Sequence, residues 1–81
     1  MTNEQRTTRE AIEALVGRRI VAVRYMTKRE ASELAWQNRP LLLELDDGSR
    51  LYASADEEMN DAGVLWVDHG EEEMCLGRYP N

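Results

Sequence analysis

Four groups of residues in this chain have the chemistry for a functional site. Asp68 and His69 are adjacent, and a carboxylate beside an imidazole is the pairing hydrolases use to orient a general base. Neighbours in a tight turn rarely point at one another, and His69-Gly70 is itself turn chemistry, so the pair reads as a turn. Cys75 is the one thiol and follows Glu71, Glu72 and Glu73. That negative setting is the reverse of what a thiolate nucleophile needs, and Cys75 reads as a small buried or half-buried core residue. Asp56-Glu57-Glu58-Met59-Asn60-Asp61 places five oxygen-bearing side chains in six residues, which suits a hard cation such as calcium. The spacing is not that of an EF-hand: counted from Asp56, Asp61 stands where the sharp-turn glycine belongs and Val67 where the bidentate glutamate belongs. The run reads as a solvated acidic loop, with cation or partner binding as lesser alternatives. The last group is basic: Arg18, Arg19, Arg24, Lys28, Arg29 and Arg39. Brought to one face with Tyr25 or Trp36, these six form an interaction patch that meets phosphates by charge and bases by stacking. The same patch suits the acidic half of another copy, or of the same molecule.

That last choice turns on where the charges lie. The 81 residues carry ten basic and sixteen acidic side chains, a net charge of −6. Residues 1–40 hold eight basic and five acidic groups, a balance of +3, whereas residues 41–81 hold two basic and eleven acidic, a balance of −9. A net negative chain repels a polyanion at long range, so nucleic acid is the less favoured partner; self-complementary electrostatics needs no ligand and explains the segregation. Nine of the ten basic residues are Arg. Scarce Lys with abundant carboxylate suits a protein kept in solution at high salt, and high-GC codon usage gives the same bias; both readings stay open. One His and one Cys leave no His-pair or Cys-rich metal site and no internal disulfide, which suits a reducing compartment. Met1–Glu10 has no apolar stretch, and no run approaches the ~20 apolar residues of a membrane span. The expectations are therefore a cytoplasmic chain, no membrane association, no cofactor and no catalytic residues.

The elements that position these groups follow from periodicity. Thr7 and Glu10 form a capping box for a helix over 8–16, where Ala11, Ile12, Leu15 and Val16 make one apolar stripe, and Gly17 ends it. Residues 18–26 read as a strand with Val21, Val23 and Tyr25 on one face and Ile20, Ala22 and Arg24 on the other. Thr27 and Glu30 box a second helix, 28–37, which Asn38-Arg39-Pro40 stops. A hairpin follows, 41–45 with 49–54. A bulge at Gly48 pairs Leu45 with Ser49, Leu43 with Leu51, Leu41 with Ala53 and Glu44 with Arg50, and keeps the leucines of odd number on an inner face. Residues 55–63 form the acidic loop; 64–67 and 71–76 form a second hairpin over Asp68-His69-Gly70. Residues 1–6 and 77–81 read as loose ends. Leu43-x-Leu45-Asp46-Asp47-Gly48 returns 22 residues later as Leu65-x-Val67-Asp68-His69-Gly70, a reuse of turn chemistry too short to establish a duplication. Trp36 and Trp66 supply apolar area at the rim of a core that has no Phe.

Five short antiparallel strands and two helices make a single α+β domain, either a small SH3-like barrel or an open antiparallel sheet; the barrel is favoured because it removes edges that so short a chain can hardly cover. The string Gly17-x-x-Ile20-x-x-Val23-x-Tyr25-Met26-Thr27-x-x-Glu30, with Trp36, Pro40, Leu45-x-Asp47-Gly48 and the acidic 56–63 segment, resembles a group of small uncharacterised bacterial proteins over about residues 17–66. The resemblance lies in fold-specifying positions and implies no activity. The expected function is a non-enzymatic interaction or accessory domain with a bipolar charge distribution, acting on a protein partner or on itself; the alternative is a single-stranded nucleic-acid binder using the Arg-rich first half.

Overall fold

A computed structural model of the protein describes all 81 residues. The elements in chain order are α1 (Asn3–Leu15), β1 (Ile20–Tyr25), α2 (Lys28–Glu33), β2 (Asn38–Arg39), β3 (Leu41–Leu45), β4 (Arg50–Tyr52), β5 (Leu65–Asp68), β6 (Glu73–Leu76) and β7 (Tyr79–Pro80). No helix is long and apolar enough to cross a membrane.

α1 begins five residues before the expected start. Its N-cap is Thr2, whose hydroxyl accepts from Gln5 N–H at 3.1 Å while the Gln5 side chain accepts from Thr2 N–H at 2.9 Å. Thr2-x-x-Gln5 is thus a capping box of the same form as Thr7-x-x-Glu10. The polar run between the two boxes has no apolar period to tell them apart. The end is where the sequence puts it, with Gly17 in the left-handed region at φ 82°. No residue of α1 is buried, and the helix has no extensive contact with any strand.

α2 keeps its Thr27–Glu30 box but ends at Glu33 rather than near Gln37. The stop is a Schellman motif: Trp36 N–H donates to Ala31 O and Ala35 N–H to Ser32 O, both at 2.9 Å, around Ala35 at φ 60°. Glycine usually holds that place, and without it nothing in the sequence marks the stop. The motif folds Trp36 back over Ala31, and these two join Met26, Leu42 and Ala62 as the core, with Leu34 and Tyr52 packed against it. The Trp36 and Tyr52 rings meet edge-on at 5.8 Å.

The strands form three small antiparallel sheets, β1-β3-β4, β2-β7 and β5-β6, all of them open, so no barrel closes. Closure needs each strand to pass hydrogen bonds to the next. β4 is three residues long, and beyond it only a Ser54–Ala62 bridge reaches across the acidic loop towards β5. The β3–β4 hairpin has the expected register, Leu43 opposite Leu51 and Glu44 opposite Arg50, with Leu45 N–H bonded to Ser49 O at 2.9 Å and Gly48 at φ 87°. Its inner face is the other one. Leu42 and Tyr52, together with Ala22, Arg24, Glu44 and Arg50, face α2, and Leu42 is fully buried. A bulge at Val21 sets Ile20 opposite Leu45, so Ile20 joins Val23, Tyr25, Leu41, Leu43 and Leu51 on the far face rather than lying with Ala22 and Arg24.

Residues 77–81 turn back onto the fold. β7 pairs with β2, Asn81 N–H donates to Gln37 O at 2.9 Å, and Tyr25 Oη donates to Gly77 O at 2.8 Å. The Tyr25 and Tyr79 rings pack edge-on at 4.9 Å.

Two substitutions test these turns through urea unfolding. Ala35→Gly relieves a left-handed alanine and is expected to stabilise the fold by about 0.5–1 kcal/mol. Gly63→Ala brings a Cβ within 2.6 Å of the Ser54 carbonyl oxygen and is expected to destabilise it, because the obstacle is backbone.

Candidate functional site

The six basic residues fall into two groups. Arg18 and Arg19 precede β1, and Arg24, Lys28, Arg29 and Arg39 surround its far end and the start of α2. Arg19 and Arg24 are five residues apart, about 16 Å along an extended strand. Carboxylates stand between and beside them. Arg18 Nε lies 3.3 Å from Asp47, Arg29 pairs with Glu33 at 3.6 Å across one helical turn, and Arg39 donates to the carbonyls of Pro80 and Met26. Arg19 and Lys28 have no side-chain partner. The two halves of the charge distribution therefore meet inside one molecule, through Arg18–Asp47 and Arg24–Glu44.

The densest polar cluster centres on Glu30, and sequence reading saw only its role as a cap. Glu30 Oε1 accepts from Thr27 N–H and from Arg24 NH1, both at 2.8 Å; Oε2 accepts from Arg24 NH2 at 3.1 Å and Arg50 NH1 at 3.3 Å. Arg24 Nε also donates to Glu44 at 3.3 Å. One carboxylate thus closes the first turn of α2 and binds guanidiniums from β1 and β4. The Arg24 guanidinium and the Thr27 N–H hold Glu30 far below its ordinary value, at about 2, and Glu30 in turn raises Arg24. No spacing rule links Arg24, Glu30, Glu44 and Arg50; only the β1–β3–β4 register brings them together.

The acidic loop uses its oxygens internally. Asp56 accepts from the N–H groups of Glu58 and Asn60 and from the Asn60 side chain, which lowers it. Asp61 is lowered chiefly by the Asn38 side chain, then by Ala62 and Asn38 N–H and by Arg78. Met59, left-handed at φ 58°, turns its carbonyl to accept from Trp36 Nε1 at 2.7 Å. The loop is thus a lid on the core tryptophan. No three carboxylate, thiol or imidazole groups converge. In the β5–β6 turn Asp68 accepts from Gly70 N–H at 2.7 Å, and His69 N–H donates to Glu72 O at 2.7 Å, so the carboxylate serves the turn.

Cys75 is exposed and so is not the core residue expected. It stands opposite Trp66, which is 64% exposed whereas Trp36 is buried. β5 and β6 make a free-standing hairpin, and both residues occupy its outer side. The larger apolar exposure is elsewhere: Ile12 and Leu15 on α1, Val16 just after it, and Ile20, Val21 and Val23 on β1, with Ile12 53% and Val23 57% exposed. A concavity along α1 is lined only by the helix's own residues and Val16. No family model, curated protein or solved structure matches this chain.

The Glu30 cluster gives a signed pH dependence. A folded-state value of about 2 against an ordinary 4.5 stabilises the fold fully above the ordinary value, and the contribution is lost as pH falls through 2. Partial solvation of Arg24 and Arg50 limits it to about 1 kcal/mol. Urea unfolding between roughly pH 6 and 2 is expected to show stability falling with acid, and Glu30→Gln is expected to flatten that fall.

Proposed function

We propose that the chain is a small non-enzymatic interaction module, and that its working surface is the apolar strip of α1 and β1 rather than the six basic residues. The observation that carries this reading is the exposure of six large aliphatic side chains between Ile12 and Val23, on α1, β1 and the link joining them, in a chain whose core cluster around Trp36 and Leu42 lies on the opposite side of the sheet. Exposed apolar surface concentrated in this way marks a contact site for another macromolecule. A catalytic reading lacks a nucleophile and base within reach of each other. The alternative, single-stranded nucleic acid, depends on free cations, and four of the six have carboxylate or carbonyl partners.

Urea unfolding followed at Trp36, at the lowest workable concentration, tests the reading on Ile12→Glu and Val23→Lys. Both are expected to keep the wild-type stability within about 0.5 kcal/mol, as surface substitutions do. A loss of about 2 kcal/mol or more would place these side chains in the chain's own core and end the proposal. Single-stranded RNA is expected to show no saturable binding at low salt; salt-steep binding abolished by Arg19→Ala and Lys28→Ala would favour the alternative.

A further inference from the structure

β1 is an edge of its sheet, and its free side has a definite pattern. Met26 N–H donates to Pro40 O at 3.0 Å in the register that sets Tyr25 opposite Leu41. Antiparallel ladders alternate, so Arg24 and Ala22 turn their backbone groups to β3, while Val23 turns N–H and C=O outward and Tyr25 turns its N–H outward. Leu45 N–H bonded to Ser49 O agrees, since it turns Leu43 to β4 and leaves Leu42 and Glu44 for β1. The edge is lightly protected: there is no Lys and no Pro within Ile20–Tyr25, its one charged side chain, Arg24, is held by Glu30 and Glu44 on the α2 side, and the single bulge lies at its start.

We infer that this edge pairs with the same edge of a second copy, an inference that rests on the interaction-module reading and names its partner. A two-fold axis at Val23 is the register the edge allows. It sets Val23 opposite Val23 of the second copy as a bonded pair joined through their outward-turned groups, with Ala22 opposite Arg24 as the non-bonded pair on either side, and no like charges meet. The result is a six-stranded sheet running β4-β3-β1 and, in the second copy, β1-β3-β4. Its aliphatic face, Ile20, Val23 and Leu51 from each copy, is continuous across the axis. α1, tied to β1 by residues 16–19, lays Ile12, Leu15 and Val16 on that face. A Val, Leu or Ile side chain offers roughly 100 Å² and these six are about half exposed, giving ~600 Å² of apolar area in two copies and, at a ~60% apolar share, ~1,000 Å² in all. That reaches the ~1,000 Å² a biological interface needs. The two-fold makes the surface its own complement, which no other occupant achieves without a matching strand.

Sedimentation equilibrium from low micromolar to submillimolar concentration reads the mass, and a crosslink reads the register. Wild type is expected at twice the chain mass and Val23→Lys at the single mass, with Trp36 emission unchanged. Residues opposite one another in a bonded pair have Cα atoms about 5.5 Å apart, within disulfide range. Val23→Cys in a Cys75→Ser background is therefore expected to form a covalent dimer on mild oxidation, whereas wild type, with its exposed Cys75, is not. The crosslink decides the matter even if Val23→Lys fails to fold. A single-chain mass for wild type throughout, or a dimer that Val23→Cys does not crosslink, would overturn the inference. Monomeric wild type with unchanged stability in Ile12→Glu and Val23→Lys would leave the interaction module standing with a different partner.

Discussion

The carboxylate of Glu30 is the constraint on which the arrangement of this small domain depends. It satisfies the first turn of α2 through Thr27, and it grips guanidiniums from β1 and β4. Those three attachments fix which face of the sheet α2 covers. Arg24, Glu44 and Arg50 can lie on the covered face only because Glu44 pairs with Arg24 and Glu30 takes both guanidiniums, and Leu42 and Tyr52 reach the core between them. Ionic groups at the margin of a core add little net stability, but they discriminate strongly between arrangements, since the wrong register leaves a charge without a partner.

Covering one face leaves the other. A chain of this length buries roughly 60% of its unfolded surface, and here only seven residues are buried. α2, the acidic loop and the 77–81 segment seal the side of Trp36 and the Tyr25 end of β1. The remaining aliphatics of β1 are open to solvent, and α1, the longest element, buries nothing within its own chain. A helix of thirteen residues is marginal in water without a packed face. The apolar stripe on α1 and the apolar edge beside it are therefore two halves of one unmet requirement, and a contact that joins them stabilises both.

What was legible in the sequence was local. The Thr27–Glu30 box, the Gly17 stop, and the Gly48 and Gly70 turns each have a side chain or a left-handed glycine that marks them, and the structure has all of them. The hairpin register was legible too, because pairing preferences act between opposite residues. Which face of that hairpin is inside was not, since the answer lies in the Glu30 cluster, whose members are far apart in sequence. The end of α2 was hidden by an alanine in a glycine's role, the start of α1 by two equivalent capping boxes, and Ile20's face by a bulge that shifts parity. Cys75 and Trp66 were misplaced for a further reason: alternation shows that two residues share a face, but not whether anything covers it. Of the candidate site, the apolar stripe of α1 was visible from periodicity, and its lack of a partner within the chain was not.

An isotope-filtered nuclear Overhauser experiment on a mixture of labelled and unlabelled chains tests directly whether that stripe and that edge are completed by a second copy. Cross-peaks between Val23 methyls of different copies, accompanied by contacts from Ile12 and Leu15 methyls to Val23 and Leu51, are the expected result. Contacts from the α1 methyls to the sheet that arise only within one chain, or none at all, would contradict it.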